Sequence, residues 1–290
     1  MEPPKMQEEQ LVYITQRILD AVDAQYVFCF GMRIMEERSW GVFRPSGGYA
    51  QNIRTSYDLL IVVPDTYENE DHEALQKLKQ LISQPASVNF IVHRRTHVTE
   101  ALKCKSRFHY HVIRFGKSLH QPESGPLELP EGIATMPGPA DWDRLYQQAQ
   151  TFQTLGNYAL SQRLHNQAMF MYHQAMEHSC TALLRFFLGL HATTHNIVQL
   201  LSITESFSNL PRTIFPGTTK EEAELTTLLS KAYSDSRYRE SYEVAPGTVE
   251  VIKDRVKAFL AMAEALYKKG LKASDDPETQ YLPSMKTLMK

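Results

Sequence analysis

Residues 121–140 read QPESGPLELPEGIATMPGPA, with five prolines and three glycines in twenty positions. No helix or strand survives that density, because proline removes a backbone donor and fixes φ while glycine adds conformational freedom. The stretch reads as a linker, and the parts on either side must each build a core. A length of 290 residues agrees, since a domain takes about 100–200 residues. The expected division is a first domain over 1–120, the linker over 121–140, a second domain over 141–270 and a frayed tail over 271–290.

The first part alternates helix and strand signals. Leu11, Ile14, Ile18, Leu19 and Val22 recur at helical spacing over residues 7–23. Tyr26 to Phe30, closed by Gly31, is a β-branched and aromatic run that predicts a buried strand. Residues 33–54, with Pro45, Gly47 and Gly48, read as a loop. Tyr57 to Val63 predicts a second buried strand stopped by Pro64. A helix near 71–83 and a third strand from Val88 to Val92 follow, and Thr96 is placed to cap a helix reaching about Cys104.

After the linker every signal is helical. Asp141 is placed to cap a helix to about Tyr158. From Gln167 to Leu188, Ala168, Tyr172, Ala175, Met176, Cys180, Leu183, Leu184 and Phe187 form an apolar stripe at the 3.6 period, ended by Gly189. Thr194 starts a short helix over Ile197 to Phe207. Thr218 with Glu221 fits a capping box for a helix to about Ser234. A last helix runs from about Thr248 to Lys268.

Composition excludes several classes. Apolar residues are 42% and aromatic residues 10%, which is the composition of packed cores. Lys and Arg total 31 against 33 Asp and Glu, a net charge of −2, which argues against a uniformly basic nucleic-acid binder but leaves room for a local patch. The best such patch holds Arg94, Arg95, Lys103, Lys105 and Arg107, followed by Phe108 and Tyr110. Cys29, Cys104 and Cys180 are odd in number and far apart, which excludes a disulfide framework or a zinc ribbon. The N-terminus has no apolar secretory core, and no apolar run approaches the roughly 20 residues that span a bilayer. The expectation is a soluble protein of a reducing cytoplasm.

Two sets of residues carry family resemblances. Phe30-Gly31-Met32-Arg33, a loop, and Thr55-Ser56-Tyr57-Asp58-Leu59-Leu60-Ile61-Val62 resemble the nucleotidyltransferase superfamily over residues 10–120. The family motif is Gly-Ser, a loop, then Asp-x-Asp. The resemblance implies an α+β domain with a small mixed sheet, and a nucleotide pocket lined here by Gly31, Arg33, Ser56 and Asp58. Two carboxylates at alternate strand positions point to one face and hold Mg²⁺. This chain has Met32 where the Ser is expected, Ser56 for the first Asp, and Asn89 on the strand that would supply a third carboxylate. Asp58 alone remains, as metal ligand and catalytic group if Mg²⁺ is used at all. One carboxylate cannot hold two ions against phosphate repulsion, so the resemblance implies a degenerate pocket. The plain alternative is that Asp58 pairs with Arg33.

The second resemblance covers residues 141–270. Met171-Tyr172-His173-Gln174-Ala175-Met176-Glu177-His178, then Thr194-His195-Asn196-Ile197-Val198-Gln199-Leu200-Leu201, then Ala232-Tyr233-Ser234-Asp235-Ser236-Arg237-Tyr238 look like a HEPN domain. That implies an all-α bundle that dimerises through its helices. Many members are RNases using Arg-x₄₋₆-His, with the Arg on the scissile phosphate and the His as acid or base. Arg237 matches the Arg, but no His follows it, and Tyr242 stands five residues on. The implied binding residues are Arg237, Arg239, Tyr238, His173 and Glu177, with Tyr242 as a stacking or catalytic substitute. Plain alternatives are an i,i+4 pair between His173 and Glu177, an Arg237–Glu177 bridge, a packing or capping His195, and Tyr233 and Tyr238 in a core or dimer interface.

Other patterns carry less. Gly116-Lys117-Ser118 imitates the end of a P-loop but lacks its first glycine, His111 standing there. His93 with His97, and His109 with His111, have metal spacing but no acidic or cysteine partner nearby in sequence, so no metal is expected there. The reading is a degenerate nucleotidyltransferase–HEPN fusion that binds nucleotide or RNA in regulation or defence, as a homodimer, away from membranes. Two enzymatic alternatives stay open: an RNase using Arg237 with a non-standard partner such as Tyr242, and a Mg²⁺-dependent transferase of AMP type using Asp58.

Overall fold

In the computed structural model the described residues are 5–40, 49–67, 78, 86–132, 139–239 and 242–274. The chain divides into two compact units, Met1–Ala134 and Thr135–Lys290. The first is a four-stranded mixed sheet with helices, and the second is helical.

The first unit begins with α1 (Lys5–Ala21), followed by β1 (Tyr26–Trp40), β2 (Tyr49–Val63), β3 (Ser87–Arg94), α2 (Arg95–Lys103), α3 (Arg107–Phe115) and β4 (Lys117–His120). The sheet order is β3-β2-β1-β4. β1 pairs antiparallel with β2 and β4, and β2 pairs parallel with β3. One sheet face presents Val27, Cys29, Tyr57, Leu59, Ile61, Val63, Val88, Phe90 and Val92 to Leu11, Ile14 and Ile18 of α1 and to Val22 just after it. This is the alternation that buries one side of a strand. The other face meets α3, where Phe108 packs edge-on against Phe30 at 5.4 Å.

Residues 33–54 are not the expected loop. β1 and β2 continue as a hairpin in register from Arg33↔Ser56 to Trp40↔Tyr49, and Pro45, Gly47 and Gly48 lie outside the described residues. The arms escape a hydrophobicity reading because Met32, Ile34 and Ile53, their apolar residues next to the buried strand runs, are exposed. The expected helix near 71–83 also lies outside the described residues, except for Leu78, which is helical and fully buried. Thr96 is not an N-cap. The helix begins one residue earlier, and the Thr96 amide donates to Asp65 Oδ1 at 2.9 Å, so the cap comes from the loop after β2.

The second unit contains α4 (Pro139–Ser161), α5 (His165–Leu188), α6 (Ile197–Thr204), α7 (Leu210–Ile214), α8 (Lys220–Tyr238) and α9 (Pro246–Ser274). α5 is the central helix, packed against α4, α6, α8 and α9. Its apolar stripe is buried from Ala168 to Phe187, and Gly189 ends it at φ 70°, in the left-handed region glycine favours. Trp142 stacks on Tyr267 at 4.1 Å, and Phe186 meets the same ring edge-on, which joins α4, α5 and α9. Two caps sit beside their expected places. Asn196, not Thr194, accepts from the Gln199 amide to start α6. The capping box is Thr219 with Glu222, one residue later than expected. No described helix is long and apolar enough to cross a membrane.

Candidate functional site

The sheet unit brings Gly31, Arg33, Ser56, Asp58 and Asn89 to one sheet face, through the registers Gly31↔Asp58, Arg33↔Ser56 and Asp58↔Asn89. Asp58 is 1% exposed. Its carboxylate accepts two hydrogen bonds from the Arg33 guanidinium, at 2.5 and 3.0 Å, and one from Asn89 Nδ2 at 2.7 Å. The fork of Arg matches the two carboxylate oxygens, which makes this a strong form of ion pair.

That arrangement satisfies the Asp58 carboxylate from within the fold. A Cβ at Gly31 would lie 2.4 Å from Asp58 Oδ2. The glycine therefore makes room for the Asp58 carboxylate, not for a phosphate. Ser56 is 7% exposed. A single carboxylate already holding a guanidinium does not suit Mg²⁺, since the ion would have to displace Arg33 and supply the missing charge pairing itself. Asp65, in the loop after β2, is engaged with Thr96, whose hydrogen bonds hold it below the usual carboxylate range.

The helical unit presents the opposite arrangement. Arg237, in the last turn of α8, is exposed. Its Nε donates to the Tyr233 carbonyl at 2.7 Å. Its guanidinium lies 4.1 Å from the Tyr233 ring centroid, 5.1 Å from that of Tyr238 and 5.5 Å from that of Phe170. Among the described residues no carboxylate pairs with it. His195, from the loop before α6, stacks on the same Tyr233 ring at 4.5 Å and 10°. His195 Nδ1 lies 2.9 Å from Glu177 Oε1. The Arg237–Glu177 bridge weighed above is absent, because Glu177 turns to His195 and, at 3.7 Å, to His173.

His173 is fully buried. Its Nε2 donates to the His195 carbonyl at 3.0 Å, and its Nδ1 accepts from Gln174 Nε2 at 3.2 Å. Burial lowers its pKa, so the ring stays neutral. His173 thus ties the backbone of the His195 loop to α5. Tyr242 is 6% exposed, and burial pushes its phenol up to about 12. Its carbonyl is tied to Asn166 Nδ2. Tyr238, by contrast, is 79% exposed, and Arg239 pairs with Asp235 at 3.4 Å. Sequence reading missed His195 as a partner of Arg237, because the two stand 42 positions apart and only the bundle brings both to Tyr233.

The expected basic patch over residues 93–107 keeps four exposed cations and loses one. Arg107 is buried, and Arg94 donates to the Asp65 carbonyl at 3.4 Å. Lys117 of the P-loop imitation pairs with Glu8 at 3.0 Å. In the same region one member of the second histidine pair joins the first. His93, His97 and His109 cluster, while His111 turns its Nδ1 to the Arg107 carbonyl at 2.7 Å. Burial lowers the pKa of His93 to about 3 and of His109 to about 4.

Comparison with known proteins places the helical unit. Residues 142–271 match the HEPN domain family. That match lies within the second unit. Two solved structures align with this chain at 21% identity and a TM-score of 0.33, each over 43% of it. One is an archaeal HEPN homologue, covered over 97% of its length; the other is a protein from Thermus thermophilus, covered over 96%. A nucleotidyltransferase-like protein from Exiguobacterium sibiricum aligns over 91% of this chain and 77% of its own, at 12% identity and a TM-score of 0.25. No curated protein matches.

Proposed function

We propose that the protein is a regulatory or defence-type module that binds nucleotide or RNA through its HEPN domain, while the sheet unit is a nucleotidyltransferase-like scaffold with its carboxylate internally paired. The observation that carries this reading is the exposed Arg237 guanidinium lying over Tyr233. Its Nε is used to fix the side chain, which leaves the terminal N–H groups for phosphate oxygens, and Arg presents them as a planar fork. Exposed Tyr238 supplies a face on which a base can stack, worth about 1–3 kcal/mol. A homodimer through the helical domain would set two such platforms in one particle.

The test is a thermal-shift titration with ATP, GTP and a short RNA, with and without Mg²⁺. Ligand at about 100 Kd stabilises by roughly 2.7 kcal/mol. A shift seen in wild type and absent in Arg237→Ala supports the reading. A Mg²⁺-dependent shift that persists in Arg237→Ala would move the site to the sheet unit.

A second reading, an RNase, is favoured by one observation. If Glu177 accepts the Nδ1 proton of His195, Nε2 keeps its lone pair, the tautomer a general base needs. Arg237 and His195 both contact the Tyr233 ring, and this reading requires one RNA phosphate to reach both. This reading expects RNA cleavage lost in both Arg237→Ala and His195→Ala. Cleavage that survives in either variant rules it out.

A further inference from the structure

From the geometry of His93, His97 and His109 we propose a binding site for a divalent transition-metal cation of the zinc class in the sheet unit. The three rings come from three successive elements. His93 lies one residue before the end of β3, His97 lies in the first turn of α2, and His109 lies in the first turn of α3. One ligand nitrogen from each falls within 4.8 Å of the other two. A tetrahedral ion bound at about 2.0–2.1 Å requires its ligand nitrogens to stand roughly 3.3 Å apart, so a small closure of the rings completes the set.

Two hydrogen-bonding observations show a built site and not a chance crowd. His93 Nδ1 and His109 Nε2 face each other at 3.0 Å. With both rings neutral, either one proton is shared between these nitrogens or two lone pairs oppose, and a cation resolves the second case. The far nitrogen of His109, Nδ1, lies 2.9 Å from Ser106 Oγ. That contact fixes the ring with Nε2 toward the cluster, as outer-shell partners do at metal sites. His109 is buried and His97 exposed, so the cluster has a rigid floor and an open side for entry.

The donor set selects the ion. Three imidazoles without a carboxylate suit zinc, copper, nickel or cobalt, and not Mg²⁺ or Ca²⁺. Among the described residues no Asp, Glu or Cys joins the group, so the fourth position goes to water or to an anionic oxygen. Three neutral ligands leave the full 2+ charge of the ion on the site, with Arg94 and Arg95 adjacent in sequence. An anionic occupant, such as hydroxide or a phosphate oxygen, follows from that charge. Sequence spacing could not show the site, since the pairs 93/97 and 109/111 each look incomplete and the fold takes two members from one and one from the other.

The test is titration of chelator-treated, full-length protein with Co²⁺ and with Zn²⁺, read by Co²⁺ visible absorption and by competition with a chromophoric chelator. The expected result is one equivalent per chain, with the strong visible bands of four-coordinate Co²⁺. His97→Ala, at an exposed position, should abolish stoichiometric binding and keep the fold by circular dichroism. Ser106→Ala should weaken it by about 10–100-fold, and His111→Ala should leave it unchanged. Absence of stoichiometric binding in wild type, or wild-type affinity in His97→Ala, would overturn the proposal.

Discussion

Asp58 and Arg237 are the two charges that family motifs pick out, and the fold treats them in opposite ways. Asp58 lies in a sheet interior with its oxygens taken by Arg33 and Asn89. Arg237 stands on a helix end, fixed by one hydrogen bond and supported on aromatic rings. A charge satisfied from within serves the fold, because anything that displaced its partner would leave a buried ion unpaired. A charge that is oriented and still open to solvent can serve a ligand. The difference teaches that a motif residue is read by its partners, not by its position in the motif.

The sharpest way to break this comparison is Arg33→Ala. It leaves Asp58 buried without its cation, and removal of one partner from such a pair costs about 3–5 kcal/mol. Urea denaturation should show that loss in the sheet unit; a loss below about 1 kcal/mol would mean that Asp58 is solvated and its site open. Gly31→Ala attacks the same place from the backbone. Its Cβ would meet a carboxylate that Arg33 and Asn89 hold still, so overpacking should cost about 1–3 kcal/mol.

Acid should test the histidines of the sheet unit next. His93 and His109 have folded pKa values depressed to about 3 and about 4, with burial as the main cause in each. The unfolded chain takes up these protons near pH 6.5 and the folded chain does not, so their stability is present above that pH and is lost as pH falls toward 4. At pH 5, about 1.5 units below the unfolded value, the cost is about 2 kcal/mol per histidine. Melts run with a chelator should show it, and His93→Gln with His109→Gln should flatten the profile. Thr219→Ala gives a smaller effect. It removes the α8 capping box at a cost of about 1 kcal/mol and should leave the affinity for RNA as it was, since Arg237 is set by the other end of the helix.

The helical unit was legible where periodicity was strong. The stripe of α5 and its glycine stop are visible because a helix buried on several sides repeats apolar residues at every turn. The arms of the β1–β2 hairpin were not, because Met32, Ile34 and Ile53 face solvent and nothing in their pattern marks a buried face. The Asp58–Arg33 pair was legible as an alternative, since both residues sit at the ends of adjoining strand signals. Which face Gly31 opens onto depends on register, and register depends on a bulge between Cys29 and Gly31. The burial of Tyr242 was not legible, because spacing from Arg237 says nothing of it. His195 was seen as a helix-start residue, and its meeting with Tyr233 and Arg237 is a tertiary fact.

The most direct measurement is fluorescence anisotropy of a labelled short RNA against wild type and Arg237→Ala, each with Mg²⁺ and with EDTA. A hydrogen bond to a charged group contributes about 1.5–3 kcal/mol. The account predicts binding that is at least about tenfold weaker in Arg237→Ala, with stability within about 0.5 kcal/mol of wild type, and indifferent to EDTA. Equal affinity in the variant, with binding abolished by EDTA, would contradict it and return the site to Asp58.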